Sequence, residues 1–394
     1  MPVNTVFALP VSYMYLHFFV QMAAAKKAQE QDFPSGIPEC GADALRFGLL
    51  AYTVQGRDVN LDLDRVVGYR QFCNKLWNAV RFALTYLSDF TPSASMYDAI
   101  LACGSRRDLF ILSKLNGAIR DANLHMGSYS FAAVTSSLHS FFLYDLCDLY
   151  LELIKPIVAS QDSDVAVDSQ VRYAAQATLY TCLEHYLRLA HPLMPFVTEE
   201  LWQRLPNLSA LTDVPSIMIS RYPEHVEAWF NPQAEEDMKI TFDAICAARS
   251  LRADYRIPNS TKAEFCFSTD SEDIKRIFQV HGDDFGTLAK ADSIKYFEGD
   301  LPKGWSIKVL SEKLSILINL TGLVDVDAEI SRLQKEVGRI TGQLEQYRRK
   351  AAMPGYEDKV PENVRAGNVE KMANFEAELQ SMEAAISSFE SMRV

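Results

Sequence analysis

Two stretches near the C-terminus leave this chain little choice of fold. Ile330, Leu333, Val337, Ile340, Leu344 and Tyr347 recur in steps of three and four, and so do Met372, Phe375, Leu379, Met382, Ile386 and Phe389. Residues at that spacing form an apolar seam along one side of a helix, and the seam needs a second helix to cover it. Met353-Pro354-Gly355-Tyr356 and Val360-Pro361 interrupt the pattern between the two. Residues 325–394 are therefore predicted to be an antiparallel coiled-coil hairpin. Its two helices differ in charge. Residues 331–350 carry Arg332, Lys335, Arg339, Arg348, Arg349 and Lys350 against Glu336 and Glu345. The second helix carries Glu370, Glu376, Glu378, Glu383 and Glu390 against Lys371 and Arg393. Two readings stand open: pairing across the hairpin, which charge alone favours, or a basic face turned towards RNA phosphate.

Upstream of the arm, helical periodicity dominates from Gly41 to about Pro206. It is clearest in Val66-Val67-Tyr69-Phe72-Leu76-Trp77-Val80-Phe82-Ala83-Leu87. Further helices are predicted at Asp108–His125, Ser130–Ile154, Ser169–Ala190 and Phe196–Leu205, with Pro192 and Pro195 marking the last break. After Pro206 the texture changes. Ser216–Arg221 reads as a short strand and Ala234–Tyr255 as a helix. Lys262–Ser268, Ser293–Phe297, Trp305–Val309 and Leu314–Asn319 read as strands, with a helix starting near Ser271. The expected fold is mainly α: a helical bundle, a small α+β unit and the hairpin arm. The expected segments are an atypical N-terminal stretch at 1–23, a junction at 24–56, the bundle at 57–225, the α+β unit at 226–324 and the arm at 325–394.

Composition narrows the function without naming it. A net charge of −12 is the wrong sign for a chain that coats nucleic acid through bulk charge, so any RNA contact needs local basic patches and stacking. The seven cysteines form no C-x-x-C pair and their number is odd, which argues against a zinc site or a disulfide framework. Most of them lie in apolar stretches and read as buried hydrophobes in a reducing compartment. The apolar run from Val6 to Val20 has no Lys or Arg before it and is interrupted by Pro10 and His17. A soluble, cytoplasmic chain is the favoured reading, with secretion the lesser alternative and no membrane partner. Asp58, Asn60, Asp62 and Asp64 alternate like a calcium loop, but Leu63 and Tyr69 occupy the places that need Gly and Glu. The histidines form no ligand set, and neither a glycine-rich phosphate loop nor a nucleophile elbow is present. No metal and no catalytic residue is expected.

Several stretches together resemble cytosolic-type valine–tRNA ligases, which are class I aminoacyl-tRNA synthetases. They are Asp32-Phe33-Pro34-Ser35-Gly36-Ile37-Pro38-Glu39-Cys40-Gly41-Ala42-Asp43-Ala44-Leu45-Arg46-Phe47, Gln55-Gly56-Arg57-Asp58-Val59-Asn60-Leu61-Asp62 and Gly68-Tyr69-Arg70-Gln71-Phe72-Cys73-Asn74-Lys75-Leu76-Trp77-Asn78. Pro192-Leu193-Met194-Pro195-Phe196-Val197-Thr198-Glu199-Glu200-Leu201-Trp202 is a fourth. Gly322-Leu323-Val324-Asp325-Val326-Asp327-Ala328-Glu329 opens the arm, with Tyr356 and Lys359-Val360-Pro361 at its turn. The resemblance covers nearly everything from about residue 24. It implies an anticodon-reading bundle, a small α/β piece and an arm along the tRNA elbow.

The resemblance also implies what this chain does not carry. Such ligases have a nucleotide-binding fold, an editing domain, a His-x-Gly-His signature and a Lys-Met-Ser-Lys-Ser loop. Here His125-Met126-Gly127-Ser128 lacks the last histidine and lies within the helical region. The chain alone is expected to be inactive in activating valine and to hold no cofactor, the family's ATP and Mg belonging to the catalytic domain. Its implied partners are valine tRNA and either a separate catalytic half or a multi-protein synthetase assembly.

The resemblance places the anticodon contact on the helix holding Arg65, Lys75, Asn78, Arg81 and Phe82. Lys75, Asn78 and Phe82 are spaced i, i+3 and i+7 and share one face. Unpaired bases are read by stacking on flat side chains and by hydrogen bonds to their edges. The expectation is that Phe82 and Asn78 read the anticodon while Lys75 and Arg81 hold it. The competing reading packs Phe82 into the bundle and uses Asn78 as a cap. Trp77 and Trp202 are assigned to the core, and Arg57 and Asp58 to the junction. On the arm, Arg332, Lys335 and Arg339 are implied to meet tRNA phosphates. A non-catalytic helical or coiled-coil interaction protein derived from the ligase is the alternative function.

Overall fold

The structure, a computed structural model, describes residues 21–390 except 28–29, 32, 35, 37, 54–61, 94, 160–167, 298–303, 324–325, 352–364, 366, 369–370, 373–374, 377–378, 380–381, 383–385 and 388–389; for 326–329, 332 and 333 it describes the backbone alone. The N-terminal run at 1–20, and Arg57, Asp58 and Asn60, lie outside the described residues. The chain divides into two compact units, the first ending at Asn231 and the second beginning at Pro232.

The first unit is helical. Its elements are α1 (Ala42–Ala51), α2 (Leu63–Tyr86), α3 (Met96–Cys103), α4 (Arg106–Gly127), α5 (Phe131–Ser140), α6 (Leu151–Val158), α7 (Ser169–Ala190) and α8 (Pro195–Trp202). A π-helical stretch, Phe141–Tyr150, joins α5 to α6 without a break. Helix α2 starts where Asp62 accepts the backbone N–H of Asp64 at 2.9 Å. It buries Val66, Phe72, Leu76, Val80 and Ala83, one stripe of an otherwise polar helix. Helix α4 starts at a capping box between Ser105 and Asp108, just after Gly104, where a Cβ would lie 2.3 Å from the Ile100 carbonyl oxygen. Helix α7 is buried almost all round from Ala174 onward and is the centre of the unit. Aromatic rings pack about it, Phe142 stacking on Tyr186 at 4.6 Å and Phe90 meeting Tyr180 at 5.5 Å.

Two polar devices fix this packing. The Asp43 carboxylate on α1 accepts the backbone N–H of Phe196 at 3.3 Å and of Val197 at 2.7 Å, capping α8 from another helix. Arg46, one turn on, donates to the carbonyls of Pro192 and Leu193. The Leu-Met-Pro-Phe motif is thus held at both ends by α1. Deeper in, Glu184 accepts from Arg188 at 2.6 Å and from the Trp202 indole at 3.4 Å, with His185 at 3.1 Å. Burial pushes the Glu184 carboxyl up, but the hydrogen bonds and charges of His185 and Arg188 outweigh it and hold the group at about 2.

The second unit is a two-layer α+β fold. Its sheet has the order β2-β1-β4-β3, with β1 (Ala263–Ser268), β2 (Ala291–Tyr296), β3 (Trp305–Ser311) and β4 (Leu314–Asn319). β1 and β2 are parallel and joined through α10 (Glu272–Ala289); β4 runs antiparallel to both β1 and β3. Phe278 of α10 stacks on Phe267 at 3.9 Å, and Phe285 meets Phe265 edge-on at 5.5 Å. Arg252, buried on α9 (Pro232–Asp254), donates to the carbonyls of Pro258 and Thr261 and so shapes the turn into β1. The arm begins with α11 (Val326–Ala351), and every described position from 365 to 390 is helical. Tyr347 meets Phe375 at 5.9 Å and Arg348 pairs with Glu376 at 2.6 Å, contacts that fit a chain folded back on itself.

Three expectations are corrected. Ser216–Arg221 is not a strand: Ile217–Ile219 forms a 3₁₀ turn against α8, with Met218 72% and Ile219 67% exposed. Its three apolar residues mimic a strand, but no described strand pairs with them. Trp77 is only half-buried, with the Arg204 guanidinium 5.4 Å above its ring, whereas Trp202 is fully buried as assigned. Of the seven cysteines, all free, only Cys147, Cys182 and Cys266 are buried; Cys103 and Cys246 are exposed and Cys40 and Cys73 half-buried.

Candidate nucleic-acid interface

The outer face of α2 carries Lys75, Asn78, Arg81 and Phe82, all exposed. The helix buries its stripe from Val66 to Ala83 on the other side, so these four residues face away from the core by the geometry of the helix itself. Phe82 is 38% exposed and meets Tyr86 edge-on at 5.0 Å. Among the described residues Asn78 has no hydrogen-bond partner and Arg81 no ion pair, so a cap through Asn78 is not formed. Arg65 is separated from this group: thirteen residues at 1.5 Å each put it about 20 Å along the axis from Asn78. There its guanidinium lies 4.7 Å above the Tyr52 ring.

A second helix completes the surface. Lys75 pairs with Asp148 of the π-helical stretch at 2.9 Å, and the Lys155 ammonium lies 5.3 Å above the Phe82 ring. Lys75 and Phe82 are seven residues apart, and so are Asp148 and Lys155. The two helices therefore run parallel here, one heptad in step. Lys155 also pairs with Glu152 at 2.5 Å. Beneath this seam, Phe72 packs on His139 at 4.8 Å and on Phe142 at 6.0 Å. Burial, and then the Lys75 charge, lower the His139 pKa, so the ring is neutral at pH 7. Burial pushes the Cys73 thiol up to about 11 and the Cys147 thiol up to about 12, leaving both protonated and unreactive there.

Chemically, the seam offers an exposed ring for stacking, an unpartnered amide that can donate and accept at a base edge, and cations at each end. Nothing in it resembles a nucleophile or a general base, and no cluster among the described residues is suited to a metal. Sequence reasoning reached the α2 residues and missed Asp148, Glu152 and Lys155. The signal was present: these are among the few charges on an otherwise apolar helix, and the seven-residue spacing of Asp148 and Lys155 matches that of Lys75 and Phe82.

On the arm, Lys335 is exposed and pairs with no described residue. Arg339 pairs with Glu336 of its own helix at 2.6 Å and with Gln343 at 3.1 Å. The Arg332 side chain lies outside the described residues. Arg348, not one of the three, makes the cross-hairpin pair with Glu376.

Residues 108–267 match the family described as the anticodon-binding domain of tRNA ligase, and residues 325–390 match the valyl tRNA synthetase tRNA binding arm. The chain is 41% identical to the valine–tRNA ligase of Rattus norvegicus over 376 residues, which is 94% of this chain and 29% of that protein. It is 37% identical to that of Caenorhabditis elegans over 380 residues, 94% of this chain and 35% of the relative. With the valine–tRNA ligase of Legionella pneumophila (strain Lens) the identity is 34% over 351 residues, 88% and 37% respectively. The chain thus spans about a third of the length of the curated relatives it matches. Helix α2 precedes the first matched stretch, whereas Asp148, Glu152 and Lys155 lie within it.

Proposed function

We propose, from a chain that matches the C-terminal part of valine–tRNA ligases over nearly its whole length, that it binds valine tRNA and reads its anticodon on the outer face of α2. In this reading Phe82 stacks an anticodon base, Asn78 bonds a base edge, and Lys75 and Arg81 hold phosphate or base acceptors. Arg65, some turns away, meets the backbone of the anticodon stem. Arg332, Lys335 and Arg339 meet phosphates at the tRNA elbow. Residues 24–56 join this part to a catalytic half, and valyl-tRNA formation needs that half. The work takes place in the cytoplasm. The seven free cysteines support that placement.

The single observation that carries the proposal is the pairing of an exposed Phe82 with an unpartnered Asn78 on a helix packed against the matched anticodon-binding stretch. The test compares binding of the purified chain to valine tRNA with binding to the same tRNA carrying another anticodon. A preference of tenfold or more for the valine anticodon is expected, about the worth of one stacked and bonded base. Equal binding to both, or none, would leave the interaction-protein reading in its place.

A further inference from the structure

We infer that Lys155 is a phosphate ligand of the same seam, released from Glu152 when a base stacks on Phe82. The inference rests on the anticodon reading above and deepens it: it adds a residue from the second helix and a reason for the carboxylates beside the cations.

Lys155 is held by two partial partners, the Phe82 ring at 5.3 Å and the Glu152 carboxylate at 2.5 Å. An ammonium has three donors, a ring face supplies a weak electrostatic attraction, and a half-exposed carboxylate pair contributes little net stability. The four-carbon stem leaves the ammonium free to swing. A nucleotide whose base lies on Phe82 carries its own phosphate to the edge of that ring, within the sweep of the same side chain. The phosphate then competes with Glu152 for one cation. Asp148 balances Lys75 from the neighbouring helix at 2.9 Å, as Glu152 balances Lys155 from within its own helix at 2.5 Å. Lys75 and Lys155 are therefore both balanced by carboxylates, while Arg81 has no ion pair among the described residues. Such a surface attracts anions weakly in general, in keeping with a chain of net charge −12, and offers its cations where a stacked base brings phosphate beside them.

The alternative is that Lys155 merely covers the ring. Lys155→Met separates the two, since it keeps an apolar stem over Phe82 and loses the charge. The full chain would be titrated with valine tRNA, and with the same tRNA carrying a changed anticodon, at several salt concentrations. The variants are Lys155→Met, Lys155→Arg, Glu152→Gln and the Lys155→Met/Glu152→Gln double. Lys155→Met is expected to weaken binding about three- to fivefold, with a log-affinity against log-salt slope shallower by about 0.7. Lys155→Arg should restore both. Glu152→Gln should tighten binding in the parent chain and have no effect beside Lys155→Met. Unchanged affinity and slope in Lys155→Met, in a parent chain that still prefers the valine anticodon, would overturn the role of Lys155 and leave the anticodon reading intact. A parent chain without anticodon preference would overturn that reading, and the inference with it.

Discussion

At the scale of single residues, the candidate site and the scaffold separate cleanly. Phe82 is exposed, so removing its ring leaves the buried stripe of α2 untouched. Phe82→Ala is expected to shift unfolding by less than about 0.5 kcal/mol, as for a surface change, while cutting discrimination between valine and non-valine anticodons about tenfold. Paired urea melts and tRNA titrations check the two halves, and a large stability loss with intact discrimination would mean the ring serves the fold. Asp43 is expected to behave the opposite way. It is the only described side chain that accepts the first N–H groups of α8, so Asp43→Ala should cost about 1–2 kcal/mol in a urea melt and leave anticodon preference alone. The motif that contains Asp43 and the motif around Pro195 were both legible in the sequence as landmarks. That one caps the other was not, because 153 residues separate Phe196 from Asp43 and only folding brings them together.

Whole elements were legible where periodicity is long and uninterrupted, and much less so where packing decides. Ser169–Ala190 and Leu314–Asn319 are found where the pattern put them, since one is a long helix and the other a run of β-branched and aliphatic residues between polar ones. Three adjacent apolar residues at Ile217–Ile219 carry no period, and only the lack of a pairing strand among the described residues makes them a turn. The π-helical stretch was invisible because Phe141–Tyr150 is apolar or aromatic at every position but Asp145 and Asp148, and so carries no period by which a wider turn could be told from an α-helical one. Among the carboxyls that set the acid sensitivity of the first unit, Glu184 on α7 is lowered furthest, with Asp89 and Glu199 lowered too and Asp108 raised by burial. Glu184 is held at about 2 when folded and returns to the ordinary carboxylate value when unfolded, so between the two the unfolded chain binds more protons. Its contribution is complete above about pH 4.5 and is lost as pH falls towards 2. His139 and His191, both lowered chiefly by burial, act in the same direction at higher pH: they favour folding when neutral and lose that advantage below about 6.5. Melting temperature should therefore be level between pH 7 and 8, dip below 6.5 and fall again below 4.5. Glu184→Gln should lower stability by about 3 kcal/mol at pH 7, as for breaking one side of a buried pair, and shrink the lower step to the share of Asp89 and Glu199. A lower step that survives the substitution undiminished would assign it to other groups.

For the molecule as a whole, the sign of the charge makes the ionic-strength dependence diagnostic. A chain of net charge −12 gains nothing from bulk attraction to RNA, so the salt sensitivity of tRNA binding counts local cations. On the proposed reading these fall into two groups in the two compact units, Arg65, Lys75 and Arg81 on α2 with Lys155 beside them, and Arg332, Lys335 and Arg339 on the arm. Each phosphate contact steepens the log-affinity against log-salt slope by about 0.7 on a single strand and about 0.9 on a duplex. The seven together predict a slope of about −6. Lys335→Ala with Arg339→Ala should make the slope shallower by close to 2 and weaken valine tRNA and its anticodon variants alike, since the elbow carries no anticodon information. Arg81→Ala should instead make the slope shallower by less than 1 and narrow the gap between the anticodons. Arg339 must first leave Glu336, so its share of the slope is expected to be smaller than that of the unpartnered Lys335. Titrations of these variants against both tRNAs at four salt concentrations separate the contributions. If the arm substitutions narrowed the anticodon gap while the α2 substitution did not, the two surfaces would have to exchange roles. If neither changed the slope, the basic residues of the arm would be solvated faces with no RNA upon them.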